Sequence, residues 1–210
     1  MMRLYSYWRS TTSYRVRIAL QLKGISHKID PINLVKGEHK NETYSEINPS
    51  QAVPILKLEN GNIITQSMAI LNYLDKTHPV PLLLPKDILL SAKVEAASML
   101  IASDIHPINN LKVGNHLRYM GHNQDEITIW MNYWMSQGLK AFNELVSKDG
   151  PFCFGSAITL ADVCLVPQLY NAHRWGTDLT GLEHLLKIEK NCLDLKAFQK
   201  ASPEAQLDKN

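Results

Sequence analysis

The chain has 210 residues, 45% of them hydrophobic, and its 22 basic and 20 acidic residues leave a formal net charge of +2. This length can bury the core of one large or two small domains. The charges form no basic block, which disfavours nucleic acid and an anionic membrane as partners. No apolar run reaches the about 18 residues that span a bilayer, and no signal peptide is recognisable. We therefore expect a cytoplasmic protein with small-molecule or protein partners.

The cysteines and the common binding motifs narrow the chemistry further. Cys153, Cys164 and Cys192 are far apart and odd in number, so they predict buried thiols rather than a disulfide framework or a thiolate metal cluster. The sequence contains no Gly-x-Gly-x-x-Gly, P-loop or His-Glu-x-x-His string. We expect neither a nucleotide nor a metal.

The first part of the chain alternates short apolar runs with helical patterns. The predicted strands are 4–8, 28–33, 55–58 and 62–64, and the predicted helices are 13–23 and 66–76. The last two strands flank a Glu59-Asn60-Gly61 turn and form a hairpin. The order predicts a βαβ unit followed by ββα, which makes residues 1–78 an α/β domain.

A proline-rich stretch follows, with three prolines from Pro79 to Pro85. It predicts a stiff linker over 79–86, because no helix crosses it. Beyond it the strand signals vanish and apolar residues recur at helical spacing, which predicts an all-α domain over 87–210. The two apolar stripes are Val94, Ala97, Ile101, Ile105 and Ile108, and then Ile127, Trp130, Met131, Trp134, Phe142 and Leu145.

One helix start in this second domain carries a strong local signal. Thr159 and Asp162 have the spacing of a capping box, and Ile158 and Val163 are placed for a hydrophobic staple. Pro167 is expected to kink the helix, because it cannot donate to the Val163 carbonyl. This motif predicts structure rather than chemistry.

The stretch from Ser10 to Leu20 is more informative about function, because four hydroxyl residues lead from a predicted strand into a helix. Unpaired N–H groups at a helix start, with the positive end of the helix dipole, stabilise an anion or a thiolate. The same residues also suit an ordinary N-cap, so spacing alone leaves both interpretations open.

Residues 10–20 resemble the Ser-Ser-Cys-x-x-Arg-Val-Arg-Ile-Ala-Leu signature of zeta-class glutathione transferases, the maleylacetoacetate isomerases. Further resemblances at 48–54, 66–70 and 159–168 extend the match over nearly the whole chain. The resemblance implies the glutathione transferase fold: a thioredoxin-like α/β N-terminal domain and an all-α C-terminal helical domain.

The resemblance also implies roles at the first helix start. Ser10 takes the place of the serine whose hydroxyl donates to the sulfur of glutathione, and Thr11 could share that task. Thr12 stands where many members of the class have cysteine. A mechanism that requires an enzyme thiol at this position is therefore excluded, and we expect Thr12 to tune the glutathione site.

The rest of the implied glutathione site lies along the same domain. A cis Val53-Pro54 bond would present the Val53 backbone to the cysteinyl part of glutathione, and Gln66 and Ser67 would hold the γ-glutamyl carboxylate at a second helix start. His39 occupies about the position that meets the glycyl end. The alternatives are an ordinary proline, a plain helix cap and a solvated histidine.

For the substrate, the resemblance places Arg174 where an arginine meets a carboxylate, a task that suits a guanidinium fork. An ion pair at a helix end is the structural alternative. Arg15 and Arg17 flank the thiol site, and one of them could add positive potential for a dianion. His106 and Asn110 belong to a segment that approaches the active site in the family.

The function that follows is glutathione-dependent cis–trans isomerisation of maleylacetoacetate, or of maleylpyruvate, in tyrosine and phenylalanine catabolism. In the implied reaction the thiolate adds to the cis double bond, the resulting single bond rotates, and elimination leaves the trans isomer. The alternatives are a zeta-class transferase or dehalogenase acting on small haloacids, and a non-catalytic binding protein of the same fold. The resemblance also implies a homodimer.

Overall fold

The computed structural model describes residues 1–209, in which a mixed α/β part precedes a helical part. The strands are β1 (Met2–Ser6), β2 (His27–Pro31), β3 (Ile55–Lys57) and β4 (Ile63–Thr65). The α-helices are α1 (Thr11–Leu22), α2 (Glu42–Ile47), α3 (Ser67–Thr77), α4 (Ile88–Met99), α5 (Leu111–Tyr119), α6 (Gln124–Leu145), α7 (Leu160–Trp175), α8 (Glu183–Leu193) and α9 (Lys196–Ala201). Short 3-10 turns lie at Glu38–Lys40 and Pro203–Ala205, and a π-helical segment, Leu100–Ile105, continues α4.

The strands form one mixed sheet in the order β2-β1-β3-β4. β1 and β2 are parallel, with Leu4 opposite Ile29, because α1 supplies the crossover that parallel strands need. β3 runs antiparallel to both β1 and β4. In the β3–β4 turn Gly61 has φ 88°, a conformation that favours a residue without a Cβ. The predicted βαβ unit, hairpin and following helix are confirmed, with small shifts of the strand ends.

The chain divides into two compact units. One contains Met1–Leu82 together with the chain from Leu193 onward, and the other is Leu83–Cys192. The break after Leu82 lies within the stretch 79–86 that the sequence marks as a linker. The C-terminal end differs from the prediction of one helical domain over 87–210, because α9 packs against α1 of the first unit.

A buried arginine explains why the C-terminal segment returns to the first unit. The Arg17 side chain is 1% exposed, and its guanidinium donates to the carbonyl of Ala201 at 2.8 Å. It also donates to the Ser6 hydroxyl at 3.1 Å and to the carbonyls of Tyr7 at 3.3 Å and Trp8 at 2.9 Å. A buried guanidinium needs such acceptors, because an unpaired buried charge is strongly destabilising.

The second unit is helical and its core largely follows the two predicted stripes. The buried members of the stripes are Val94, Ala97, Ile101 and Ile105, and Ile127, Met131 and Phe142. Trp130 and Leu145 differ, being 37% and 49% exposed. The Trp130 indole N–H donates to the Ile108 carbonyl at 3.1 Å, which keeps its polar edge hydrogen-bonded at the surface.

The predicted capping box at the start of α7 is present. The buried Asp162 carboxylate accepts hydrogen bonds from the N–H and hydroxyl of Thr159 and from the N–H of Cys153, each at 2.8 Å. Burial raises the pKa of Asp162, and these hydrogen bonds oppose that shift by stabilising the carboxylate. Pro167 lies inside α7, as predicted.

α2 and the π-helical segment are among the elements that the sequence pattern does not predict. α2 lies in a stretch that is mostly polar, and only Tyr44 of this helix is buried. The π-helical segment Leu100–Ile105 interrupts an apolar stripe that suggests one continuous α-helix. No helix in the described part of the chain is both long and apolar enough to cross a membrane.

Replacement of Arg17 tests the contribution of its buried hydrogen bonds. We expect Arg17→Met to lower the free energy of unfolding by about 3 kcal/mol, because several buried acceptors lose their donor at once. The measurement is urea denaturation followed by circular dichroism. The control is Arg3→Met, which removes an ion pair with Asp30 in which the Arg3 side chain is 51% exposed, and which we expect to cost far less. Equal losses for the two variants would contradict this account.

Candidate active site

The start of α1 is built around Ser10, which is its N-cap residue. The Ser10 hydroxyl accepts the Ser13 backbone N–H at 3.2 Å, and the Ser10 N–H donates to the Tyr7 carbonyl at 3.0 Å. Thr11 is the first helical residue and is 7% exposed. Ser10 is therefore the N-cap of the helix, which confirms one of the two interpretations drawn from the sequence. It also lies at the positive end of the helix dipole, where an anion or a thiolate would be stabilised.

A chain of hydrogen bonds connects Ser10 to the loop before β3. The hydroxyl oxygens of Ser10 and Thr12 are 2.9 Å apart, and the Thr12 hydroxyl donates to the Val53 carbonyl at 2.9 Å. Ser10 and Thr12 are both partly buried, and Val53 is 7% exposed. The structure thus brings Val53 next to Ser10 and Thr12, although 41 positions separate Thr12 from Val53 in the chain.

The loop that carries Val53 is held by residues that the sequence does not mark as functional. The Val53-Pro54 peptide is cis, as expected. The carbonyl of Ala52 accepts hydrogen bonds from the Tyr44 hydroxyl at 2.7 Å and from the Asn48 amide at 2.8 Å. Asn48 lies in the stretch 48–54 quoted above, whereas nothing in the sequence singles out Tyr44, because α2 itself is not predicted.

The start of α3 forms a second polar site in the same unit. Gln66 is the N-cap residue with φ 69°, a conformation that is uncommon for a residue with a side chain, and its side chain makes no cap hydrogen bond. Backbone strain of this kind is often retained at ligand-binding positions. The Ser67 hydroxyl accepts the Arg15 guanidinium N–H at 3.4 Å, and Ser67 is 6% exposed.

Arg15 and Arg17 point in different directions, which the sequence could not resolve. Both are 1% exposed. The hydrogen bonds of Arg17 to main-chain carbonyls give it a structural role in place of the predicted contact with a substrate. Arg15 lies beside Ser67, so its positive charge is close to the start of α3.

His39 lies in the 3-10 turn Glu38–Lys40 of the first unit, and its Nδ1 atom is buried. Burial lowers the pKa of His39, and the positive charge of Lys40 lowers it further. Both effects favour the neutral imidazole over the imidazolium. A neutral imidazole can offer an anion a hydrogen bond.

His106 and Asn110 are neighbours in the second unit. The Asn110 amide nitrogen is 3.1 Å from the His106 Nε2 atom. Asn110 is also the N-cap of α5, where its side-chain oxygen accepts the Lys112 N–H at 3.1 Å. Asn110 therefore also has a structural role at a helix start.

Arg174 lies in the last turn of α7, also in the second unit. Its guanidinium donates to the Asn171 side-chain oxygen at 3.1 Å and lies 5.6 Å from the centre of the Trp175 ring. The Asn171 amide donates in turn to the Asn109 side chain at 3.2 Å, and both asparagines are 5% exposed. The guanidinium, which is exposed itself, is thus oriented by a buried pair of amides.

Within residues 1–209, no group of three or more His, Cys, Asp or Glu side chains is arranged to hold a metal ion. The residues described above provide hydroxyls, backbone N–H groups and guanidinium groups, which bind anions.

Comparison with known proteins places this geometry in a family. The family model described as glutathione S-transferase, N-terminal domain, matches residues 9–77. A maleylacetoacetate isomerase from Pseudomonas aeruginosa is 42% identical over 209 residues, which cover 99% of this chain and 98% of that protein.

Two solved structures agree with this comparison. The holo structure of a maleylpyruvate isomerase, a bacterial zeta-class glutathione transferase, matches with a TM-score of 0.96 and 38% identity, over 99% of this chain and 100% of the other. A maleylacetoacetate isomerase from Anaeromyxobacter dehalogenans 2CP-1, with glutathione in its active site, matches with a TM-score of 0.90 and 38% identity, over 100% and 98% of the two chains. Similarity of this extent in sequence and in fold means that the chain belongs to the zeta class of glutathione transferases.

Proposed function

We propose that the protein is a glutathione-dependent cis–trans isomerase of maleylacetoacetate, with maleylpyruvate as the second candidate, in the catabolism of tyrosine and phenylalanine. The observation that carries the proposal is the start of α1, where Ser10, Thr12 and the Val53 carbonyl form one hydrogen-bonded group. The full-length similarity to a maleylacetoacetate isomerase and to a maleylpyruvate isomerase supports the substrate class.

The residues of the first unit fit glutathione, which carries a thiol at its centre and carboxylates at its ends. The starts of α1 and α3 both offer backbone N–H groups and the positive end of a helix dipole. Arg15 adds a buried positive charge beside Ser67. Ser67 and Gln66 would hold the γ-glutamyl carboxylate, the Val53 backbone the cysteinyl part, and His39 the glycyl end.

When bound, glutathione would supply a thiolate nucleophile, which is the chemistry that cis–trans isomerisation by reversible addition to a double bond requires. Ser10 would donate a hydrogen bond to the sulfur, and Thr11 would add a backbone N–H at the helix start. Both interactions favour the thiolate over a thiol whose ordinary pKa is about 8.5. Thr12 contributes no thiol, so the nucleophile comes from the cofactor alone.

Arg174 would bind a carboxylate of the diacid. Its guanidinium is exposed, and its hydrogen bond to the buried Asn171 side chain together with its contact with Trp175 restrict its orientation. A guanidinium oriented in this way loses little freedom on binding a carboxylate, and it also stabilises the negative charge that develops on the substrate.

The decisive experiment measures isomerisation and thiol content together. With purified maleylacetoacetate and saturating glutathione, we expect the wild-type protein to form fumarylacetoacetate, followed with fumarylacetoacetate hydrolase as coupling enzyme, while the free thiol concentration stays constant. Ser10→Ala should lower the rate about 10- to 100-fold, because loss of the donor raises the pKa of the bound thiol by about one or two units.

Ser26→Ala is the matched control, because Ser26 is an exposed serine before β2 of the same unit. An unchanged rate for Ser10→Ala, with glutathione saturating, would contradict the proposal. Consumption of thiol by small haloacids, without isomerisation, would instead assign the chain to conjugation or dehalogenation. Glutathione binding without turnover of any of these substrates would indicate a binding protein.

Arg174→Met should raise the KM for the diacid about 10- to 100-fold, which corresponds to the loss of one hydrogen-bonded ion pair, and should leave the KM for glutathione nearly unchanged. Arg174→Lys should recover part of the loss, since a lysine keeps the charge but not the fork. Arg118→Met is the control, because Arg118 is an exposed arginine of the same unit whose guanidinium contacts the side chains of Asn115 and Gln124. A rise in the KM for glutathione alone would exclude a substrate role for Arg174.

We further propose that the protein acts in the cytoplasm as a homodimer. Cys153, Cys164 and Cys192 are all buried thiols that form no disulfide within residues 1–209, which fits a reducing compartment. Ile88 and Leu89 at the start of α4 are 87% and 66% exposed, and such apolar residues are suited to a subunit interface.

A further inference from the structure

The hydrogen-bond chain at the start of α1 has a direction that follows from counting protons. A carbonyl oxygen can only accept, so the proton of the Thr12 hydroxyl lies on the bond to Val53. A hydroxyl has one proton, and therefore the 2.9 Å contact between the two hydroxyls is donated by Ser10. The chain therefore runs from Ser10 to Thr12 to the Val53 carbonyl, and the Ser10 proton points to Thr12.

We propose that Thr12 is a positioning residue that reverses this chain when glutathione binds, so that its own hydroxyl donates to Ser10 and Ser10 donates to the sulfur. The inference rests on the proposed function insofar as that function makes glutathione the ligand of this site. It goes further, because it gives the residue that replaces the family cysteine a defined task.

The Val53 carbonyl provides the coupling between the two ends of the chain. In the structure this carbonyl accepts the hydrogen bond of the Thr12 hydroxyl. In the complex it accepts the cysteinyl N–H of glutathione, if the Val53 backbone pairs with the ligand as proposed above. That second donor lets the Thr12 proton leave Val53 at little cost, and Thr12 is then 2.9 Å from the Ser10 oxygen to which it donates.

The reversed chain strengthens the donor that faces the sulfur. Ser10 already accepts the Ser13 N–H at 3.2 Å, and a second donor to the same oxygen polarises its O–H bond further. Hydrogen bonds to a charged acceptor are about twice as strong as neutral ones. The gain therefore applies to the thiolate and not to the neutral thiol, and Thr12 lowers the pKa of bound glutathione through Ser10.

The test measures the pKa of bound glutathione from the ultraviolet absorbance of its thiolate, with the S-methylglutathione complex as baseline. We expect Thr12→Val, which keeps the shape but removes the hydroxyl, to raise this pKa by about 0.5–1 unit, the shift produced by one hydrogen bond of ordinary net strength. Thr12→Ser, which keeps the hydroxyl, should restore the wild-type value. Thr12→Ala also removes the hydroxyl, and it replaces Thr12→Val in the titration if Thr12→Val does not fold.

Affinity measurements with glutathione and S-methylglutathione distinguish the proposed role of Thr12 from a merely structural one. S-methylglutathione cannot form a thiolate, so Thr12→Val should change the dissociation constant of this analogue less than twofold. At a pH above the thiol pKa of bound glutathione, the same substitution should weaken the binding of glutathione. Thr77→Val is the control, because the Thr77 hydroxyl donates to the Tyr73 carbonyl at the far end of α3. Burial raises the pKa of Cys153 and Cys192, so these protein thiols add no signal of their own near neutral pH.

Two results would overturn the proposal. One is an unchanged thiol pKa in Thr12→Val, and the other is an equal loss of affinity for glutathione and S-methylglutathione. Failure of the isomerase proposal is a separate result, since the titration requires binding and no turnover: a wild-type protein that binds glutathione as a thiolate but does not isomerise contradicts only the proposed function. A wild-type protein that binds no glutathione contradicts both.

Discussion

The buried guanidinium of Arg17 is the interaction on which the first unit depends. Its N–H groups join the end of β1 to α9 by donating to the carbonyls of Tyr7, Trp8 and Ala201. Tyr7 and Trp8 lie three and two residues before Ser10, so the turn that positions Ser10 is held by acceptors that cannot be left unpaired in the interior. The helix start that forms the candidate thiol site is therefore a consequence of burying one charged side chain in the right place.

Other polar groups that the proposed function uses are held in the same way within each unit, by buried hydrogen-bond partners. The Ala52 carbonyl accepts from Tyr44 and Asn48, which fixes the loop that presents Val53. In the second unit the buried side chain of Asn171 orients the exposed guanidinium of Arg174. Groups that meet a ligand must be held in place before it arrives if binding energy is not to be used to order them. The supporting hydrogen bonds thus matter to each candidate binding position as much as the groups that they hold.

Much of the fold follows from local pattern, and the exceptions have local causes. Alternating and helical apolar spacing predicts the strands and helices of the first unit, because one face of each element is buried there. The sequence pattern does not predict α2, because the only buried residue of this helix is Tyr44. It does not predict the position of the C-terminal segment either, because Arg17 of α1 holds this segment through a hydrogen bond to a main-chain carbonyl, an acceptor that any residue can provide.

The sequence by itself determined an α/β part followed by a helical part, helix starts near Ser13 and Gln66, and the absence of a thiol at position 12, because these depend on residue type and short-range spacing. Tertiary structure decided which of two adjacent arginines is structural and which lies beside Ser67, since Arg15 and Arg17 have the same chemistry and differ only in their neighbours. It also decided that Thr12 donates to Val53. Contacts between residues far apart in the chain are set by packing, and local sequence spacing does not predict them.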